Sequence, residues 1–178
     1  GKENVTVAMI MRHRSGLSAP REDLTLDDVE AITPVEEALA RQEPIWEPDT
    51  GYLYHAGTIG QLLGKIVANV SGKSLNQYLQ DEICKPLQVE AWYGIPSEKE
   101  SEVAHLKSDG KNPRIKHPYG SPLYWNERAM TYGKAFIAEV DSFDGGYNDP
   151  RVHAFQHAGA GGITNARSIA KIYSSTVC

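Results

Sequence analysis

The sequence is short of the features that mark several common protein classes. It has two cysteines in 178 residues, Cys84 and Cys178. Two such thiols provide neither a disulfide framework nor a zinc cluster, and a reducing compartment is the default that follows. It has no cluster of Lys and Arg: 18 basic residues stand against 23 acidic ones, a net charge of −5. That balance argues against nucleic acid, or an anionic membrane surface, as the main partner. No apolar run approaches the length of a membrane span, and the opening stretch "GKENVTVAMIMRHRSG" lacks the apolar centre of a signal peptide. Internal repeats and low-complexity tracts are missing too. Strand signals are few, with Ala91–Ile95 and Ala135–Val140 the two short candidates. What remains is ordinary for a globular protein: 40% hydrophobic and 23% charged residues. The length suits one domain with a real core, or part of a larger one.

Helical periodicity dominates the first half. Thr6 is placed to cap a short helix to Met11, ended by Arg14-Ser15-Gly16. Thr33-Pro34-Val35-Glu36 reads as a capping box with proline in the first turn, opening a helix to about Arg41. Ile59, Leu62, Leu63, Ile66, Val67 and Val70 recur at helical spacing, which predicts a helix over 58–70 with one buried face. Gly72 is its stop. Ser74-Leu75-Asn76-Gln77 is a second capping box, for a helix striped by Leu75, Tyr78, Leu79 and Ile83 and ended at Pro86. Residues 96–122 and 141–165 read as loops, the second with a glycine cluster. Thr164 or Asn165 is expected to cap a last helix, with Ala166, Ile169, Ala170, Ile172 and Tyr173 apolar. An α-rich chain with so little sheet, ending on a helix, reads as a piece of a domain and not a finished one.

Several residues could carry chemistry. "GYLYHAGTIG" places Tyr54 just before the predicted helix at 58–70. A tyrosine works as a base only if its phenolate is stabilised, because its reference pKa is about 10. That requires a cationic neighbour; without one, Tyr54 is a rim tyrosine with a satisfied hydroxyl. His153 and His157 lie four apart, a metal-ligand spacing if helical. Pro150 and Gly159 argue against a helix and no third ligand is evident, so no metal is expected. "HAGAGG" (His157–Gly162) has no Lys-Ser/Thr after it, which disfavours a phosphate loop. No cofactor is expected.

The order of several motifs carries more than any one of them. "TVAMIMRHRSGL" is similar to the "ITVRHLLTHTSGL" segment of the serine β-lactamase-related family, which includes class C β-lactamases, penicillin-binding carboxypeptidases and related esterases. From Trp46 the chain resembles that family's next block: W-x-P-G-T, then Y-H-A-x-T-x-G-x-L-x-G, then V-S-G-K-S, E-I-x-x-P-L and I-G-x-P. "GGITNARSIAKIY" resembles its later "NGIGTARSLARLY" helix. The matches keep the family's order and cover about residues 5–96 and 147–173.

The resemblance implies an α+β fold: mainly the helical portion of a β-lactamase/penicillin-binding-protein-like (transpeptidase-like) fold, with its sheet incomplete. It implies a serine hydrolase that acts through an acyl-enzyme on a small ester or amide. Tyr54, not Tyr52, stands at the family's proton-transfer tyrosine, because Thr58, Gly60, Leu62 and Gly64 then fall in register. Ala56 stands where lactamases usually carry an Asn that helps hold the substrate amide, which favours esters. His55 becomes a packing or supporting residue beside Tyr54. His13 and Ser15 match the family's T-H-T-S-G-L and are expected to end the helix and brace the cleft wall. Asp49 stands where the family usually has Gly.

The family's nucleophile is the Ser of S-x-x-K, whose spacing puts Ser and Lys on one helix face. Lys takes the serine proton, directly or with Tyr, and two backbone N–H groups hold the oxyanion. That motif precedes the first matched segment, and only four residues precede Val5 here. The K-T-G or H-x-G motif follows the last one, and seven residues follow Lys171. Residues 1–178 are therefore expected to be a partial domain lacking both motifs, inactive alone. Ser108 to Lys111 lies in a loop, and Ser168 to Lys171 maps onto the late helix, in the wrong order for the family. The alternative is a non-catalytic relative that serves as a binding or scaffold protein.

Overall fold

Each early helix starts where a side chain can take up an orphan backbone N–H. In the computed structural model, which describes residues 1–109, 116–121 and 123–177, Thr6 accepts from the Met9 N–H and opens α1, Val7–Met11. Thr25 and Asp28 form a reciprocal capping box at α2, Leu26–Ala31. The sequence reading missed α2 because Asp, rather than Glu or Gln, closes its box. The box expected at Thr33 does not form. Ile32, at φ 64°, is the N-cap of α3, Thr33–Arg41, and Thr33 already lies inside it. The two helices abut across that one left-handed residue, which leaves Thr33 no extended position from which to cap.

The long helix α4 spans Thr58–Ser71 and stops at left-handed Gly72, as expected. Its packing is not as expected. Its buried residues are Thr58, Gly60 and Gln61, while Val70 is 85% exposed. The rest of the apolar stripe is half-buried among the described residues. The glycine side of α4 receives another stretch of backbone: a Cβ on Gly60 would sit 2.1 Å from the Gly159 nitrogen.

Ser74 caps α5, Leu75–Leu79, by accepting from the Gln77 N–H. A π turn, Gln80–Cys84, continues into α6, Lys85–Leu87. The helical path thus runs one residue past Pro86 before Gln88 turns left-handed. Strand β1, Ala91–Tyr93, pairs antiparallel with β2, Gly162–Thr164, setting Trp92 opposite Ile163. β1 is shorter than expected, and β2 lies within the expected loop. Ala135–Val140 is not a strand. Positive φ angles at Tyr132 and Lys134 break extended geometry at its start, and Ala135 and Phe136 join the core from a run of turns.

Helix α7, Tyr124–Met130, has no side-chain cap, so no start signal announced it. Asp149 caps the one-turn α8, Pro150–His153. Asn165, rather than Thr164, caps α9, Ala166–Ser174. The core gathers Leu24, Val29, Val35 and Leu39 from α2, α3 and their approach. Tyr132 and Phe136 join from beyond α7, with Val152 and Phe155 from α8 and just after it. One charged clamp ties these parts together. Arg128 is 3% exposed; it donates to the carbonyls of Pro20, Arg21 and Glu22 and pairs with Asp23 at 2.7 Å. Among the described residues no helix is long and apolar enough to cross a membrane.

Candidate active site

The segment that carries Tyr54 is tied along its length to the end of α1. The Asp49 N–H donates to the Arg14 carbonyl at 2.9 Å, and the Leu53 N–H to the His13 carbonyl at 3.3 Å. Asp49 holds φ 69°, the left-handed conformation that glycine adopts most easily. Arg14 secures it, pairing with the Asp49 carboxylate at 2.5 Å and donating to its carbonyl. So the turn keeps a glycine-like backbone without glycine.

Behind Tyr54 lies a buried polar brace. His55 and Ser15 are both 0% exposed. His55 Nδ1 lies 2.6 Å from the Leu53 carbonyl, and its Nε2 lies 2.7 Å from the Ser15 hydroxyl. A carbonyl can only accept, so Nδ1 carries the proton. Nε2 then accepts from the Ser15 hydroxyl, whose oxygen also accepts from the Leu17 N–H. Burial lowers the His55 pKa to about 4; the Leu53 carbonyl opposes this and His13 adds to it. The imidazole is therefore neutral at pH 7. The His55 N–H donates to His13 Nδ1 at 3.2 Å, and the His13 ring meets Tyr54 edge-on at 5.0 Å. A serine donating to a neutral histidine is the pattern of an activated nucleophile. Here no substrate can reach it.

Tyr54 itself is 53% exposed. It stands at a cavity of about 130 Å³ whose walls include Ala56, Met130, Tyr132, Phe136, Tyr147 and His157. The back wall exists because the chain at Gly159 lies directly on the start of α4. A Cβ at Gly159 would come 2.5 Å from the Gly57 carbonyl oxygen, and one at Gly57 would strike the Tyr132 ring at 2.5 Å. Burial raises the Tyr132 phenol far above its ordinary range. The Gln61 amide stands near enough to oppose that rise weakly, yet outside hydrogen-bond geometry.

The structure brings Tyr54, His13, His55 and Ser15 into one cluster. It does not bring Ser168 there. That side chain is 5% exposed, accepts from the Glu90 N–H at 3.1 Å, and lines a separate hollow with Lys171. Ser108 is described but Lys111 lies outside the described residues. His153 and His157 have different surroundings. His153 sits between Glu100 and the Tyr147 carbonyl, each at 2.8 Å. His157 is packed at 5.2 Å from Phe136 and 5.1 Å from Tyr132. Among the described residues no three His, Cys, Asp or Glu side chains gather as metal ligands. Sequence reading missed Met130, Tyr132 and Phe136 as cavity residues, for their signal is tertiary. The glycines of "HAGAGG" were visible, but their partner on α4 was not.

The Beta-lactamase family model matches residues 1–177. The chain belongs to the beta-lactamase family. Several relatives show which branch it resembles. The chain is 30% identical over 113 residues to the esterase/beta-lactamase LipL of Mycobacterium tuberculosis, a match covering 60% of this chain and 25% of LipL. Its fold superposes on EstA from Arthrobacter nitroguajacolicus Rue61a with a TM-score of 0.79 at 26% identity. It superposes on a family VIII carboxylesterase at 0.78 and 28%. A penicillin-binding protein homologue from Caulobacter crescentus, at 24% identity and a TM-score of 0.75, shares the fold. Each superposition covers 98% of this chain and 44% of the other. The chain thus spans less than half the length of these relatives. As a beta-lactamase-family chain it is related to serine hydrolases and esterases, in a family that acts on small molecules. Its helix-rich architecture with a two-stranded sheet is a partial version of that α+β fold.

Proposed function

We propose that the full-length protein is an esterase-like serine hydrolase and that Tyr54 is its proton-transfer group. The observation that carries this is the position of Tyr54: half-exposed at the mouth of a cavity, on a segment held from behind by buried Ser15 and His55 and by half-buried His13. A side chain poised that way is positioned without being consumed in packing. The esterase names among the relatives support the substrate class. Ala56 adds to it, since it offers no amide to hold a lactam.

In this reading a serine attacks the ester carbonyl and passes its proton towards Tyr54. The alcohol leaves with a proton, and water then releases the acid from the acyl-enzyme. The tyrosine needs a nearby cation for its phenolate, which in the family is the lysine of S-x-x-K. Ser168 and Lys171 line a different hollow, so we assign nucleophile and lysine to a part of the protein outside residues 1–178. His13, His55 and Ser15 act as positioning residues. Residues 1–178 alone are then inactive.

The test is turnover of short-chain p-nitrophenyl esters by the full-length protein. General acid–base groups contribute about 10²–10⁴-fold, so Tyr54→Phe should lower kcat by at least about 100-fold. Unchanged turnover would refute the role of Tyr54, and no turnover by the parent would favour a binding or scaffold protein. Residues 1–178 alone should take no fluorophosphonate; an adduct on Ser168 would overturn the assignment.

A further inference from the structure

The cavity behind Tyr54 has a composition that points to its occupant. Its inner walls are aromatic rings held against one another. Phe136 stacks on Tyr147 at 5.7 Å and 8°, and on His157 at 5.2 Å and 22°. Tyr132 packs against His157 at 5.1 Å. Tyr132 and His157 are 1% and 2% exposed, so this wall is rigid core rather than mobile surface. The mouth is different: Tyr54 and Met130 are both more than half exposed. A volume of about 130 Å³ is close to the ~150 Å³ of a cavity known to hold one benzene ring. Stacked and edge-on rings favour a further ring over an aliphatic chain of the same volume.

An orphan polar atom lies behind the wall. His157 is buried, burial lowers its pKa to about 4, and its Nδ1 has no hydrogen-bond partner. A neutral imidazole nitrogen without a partner is unusual in a core. That nitrogen has essentially no accessible surface, so it faces the packed core and not the cavity, and the cavity's inner wall is apolar in character.

We propose that this cavity receives one phenyl-sized ring of the substrate, packed against the Phe136, Tyr132 and His157 rings. The proposal rests on the reading of Tyr54 as the reacting tyrosine, since the same cavity opens beside it. Substrates would then be esters with a single aromatic ring, on either the acid or the alcohol side. Met130 at the rim and Ala56 at the mouth would set the size limit.

Binding tests this without catalysis. Full-length protein labelled with ¹⁵N at histidine is titrated with phenol, and the imidazole nitrogens are followed by NMR. Saturable binding in the millimolar range is expected, moving the His157 nitrogens and leaving those of His153 in place. Toluene, of the same size, should bind at least as tightly as phenol. Ala56→Leu should weaken phenol at least tenfold, and Met130→Ala should admit 2-naphthol, which the native cavity excludes. Comparing phenyl esters of acetate with ethyl esters of benzoate, by kcat/KM, separates an alcohol-side ring from an acid-side ring. An unmoved His157 signal at saturating solubility of phenol, or equal binding of phenol by Ala56→Leu, overturns the proposal. If phenol binds and the protein hydrolyses no ester, the cavity stands and the esterase reading falls. If esters turn over and phenol does not bind, the reverse holds.

Discussion

A single methyl group at Gly60 tests how the wall behind Tyr54 is built. Gly60 lies in the first turn of α4, so replacing it with Ala would ordinarily help. Glycine costs a helix interior about 1 kcal/mol relative to alanine. The structure opposes that gain. The new Cβ would lie 2.1 Å from the Gly159 nitrogen, 2.5 Å from the Ala158 carbonyl carbon and 2.9 Å from the Gly159 Cα. All three are backbone atoms, so no rotamer change relieves the clash. Overpacking of a filled site costs about 1–3 kcal/mol, and contact with fixed backbone belongs at the upper end. The net effect of Gly60→Ala is then a loss of about 2 kcal/mol. At about 2–4 °C per kcal/mol for a chain of this size, Tm falls by about 4–8 °C. Gly64, one turn on, supplies the control. Its added Cβ meets only the Leu75 Cδ2, at an ordinary 3.5 Å, so Gly64→Ala should raise Tm by about 2–4 °C. Thermal melts followed by circular dichroism measure both. If Gly60→Ala melts at or above the parent, or both variants move the same way, the backbone contact does not exist as described.

Two further outcomes follow from buried charge. His55 and His157 have folded pKa values near 4, against 6.5 when exposed. Below pH 6.5 the unfolded chain takes up protons that the folded chain refuses. Their contribution to stability is therefore full above that pH and is lost as pH falls towards 4, by on the order of 3 kcal/mol for each histidine. Urea midpoints at pH 7 and pH 5 should differ accordingly, and His157→Phe should flatten the slope; a midpoint that does not move with pH would contradict the burial of both rings. Arg128→Met removes the donor for three backbone carbonyls and should cost about 3 kcal/mol. A loss under about 1 kcal/mol would show that water replaces the guanidinium without penalty.

Much of this arrangement was legible before any coordinates, and the parts that were not share a cause. α1, α4, α5 and α9 announce themselves through Thr6, Gly72, Ser74 and Asn165, whose effects act within a few residues. The place of Tyr54 just ahead of α4 was legible through its register with Thr58, Gly60 and Gly64, because that register is also local. The cavity was not. Tyr132 and His157 come from segments without periodicity, and they meet Tyr54 only because Gly60 lets Gly159 approach. The buried face of α4 was misread for the same reason. Hydrophobic spacing marks a face as apolar, while glycine spacing decides which face another backbone can approach.

The turn at Asp49 has a consequence of another kind. Where glycine would hold this backbone by default, here an exposed ion pair holds it, with side chains 34% and 48% accessible for Arg14 and Asp49. Such pairs weaken as dissolved ions screen them. The strap that carries Tyr54 is therefore fastened by a bond whose strength depends on the medium. Its local opening is expected to become easier as ionic strength rises, whereas the rings behind it, packed without charge, hold no ion pair for salt to loosen.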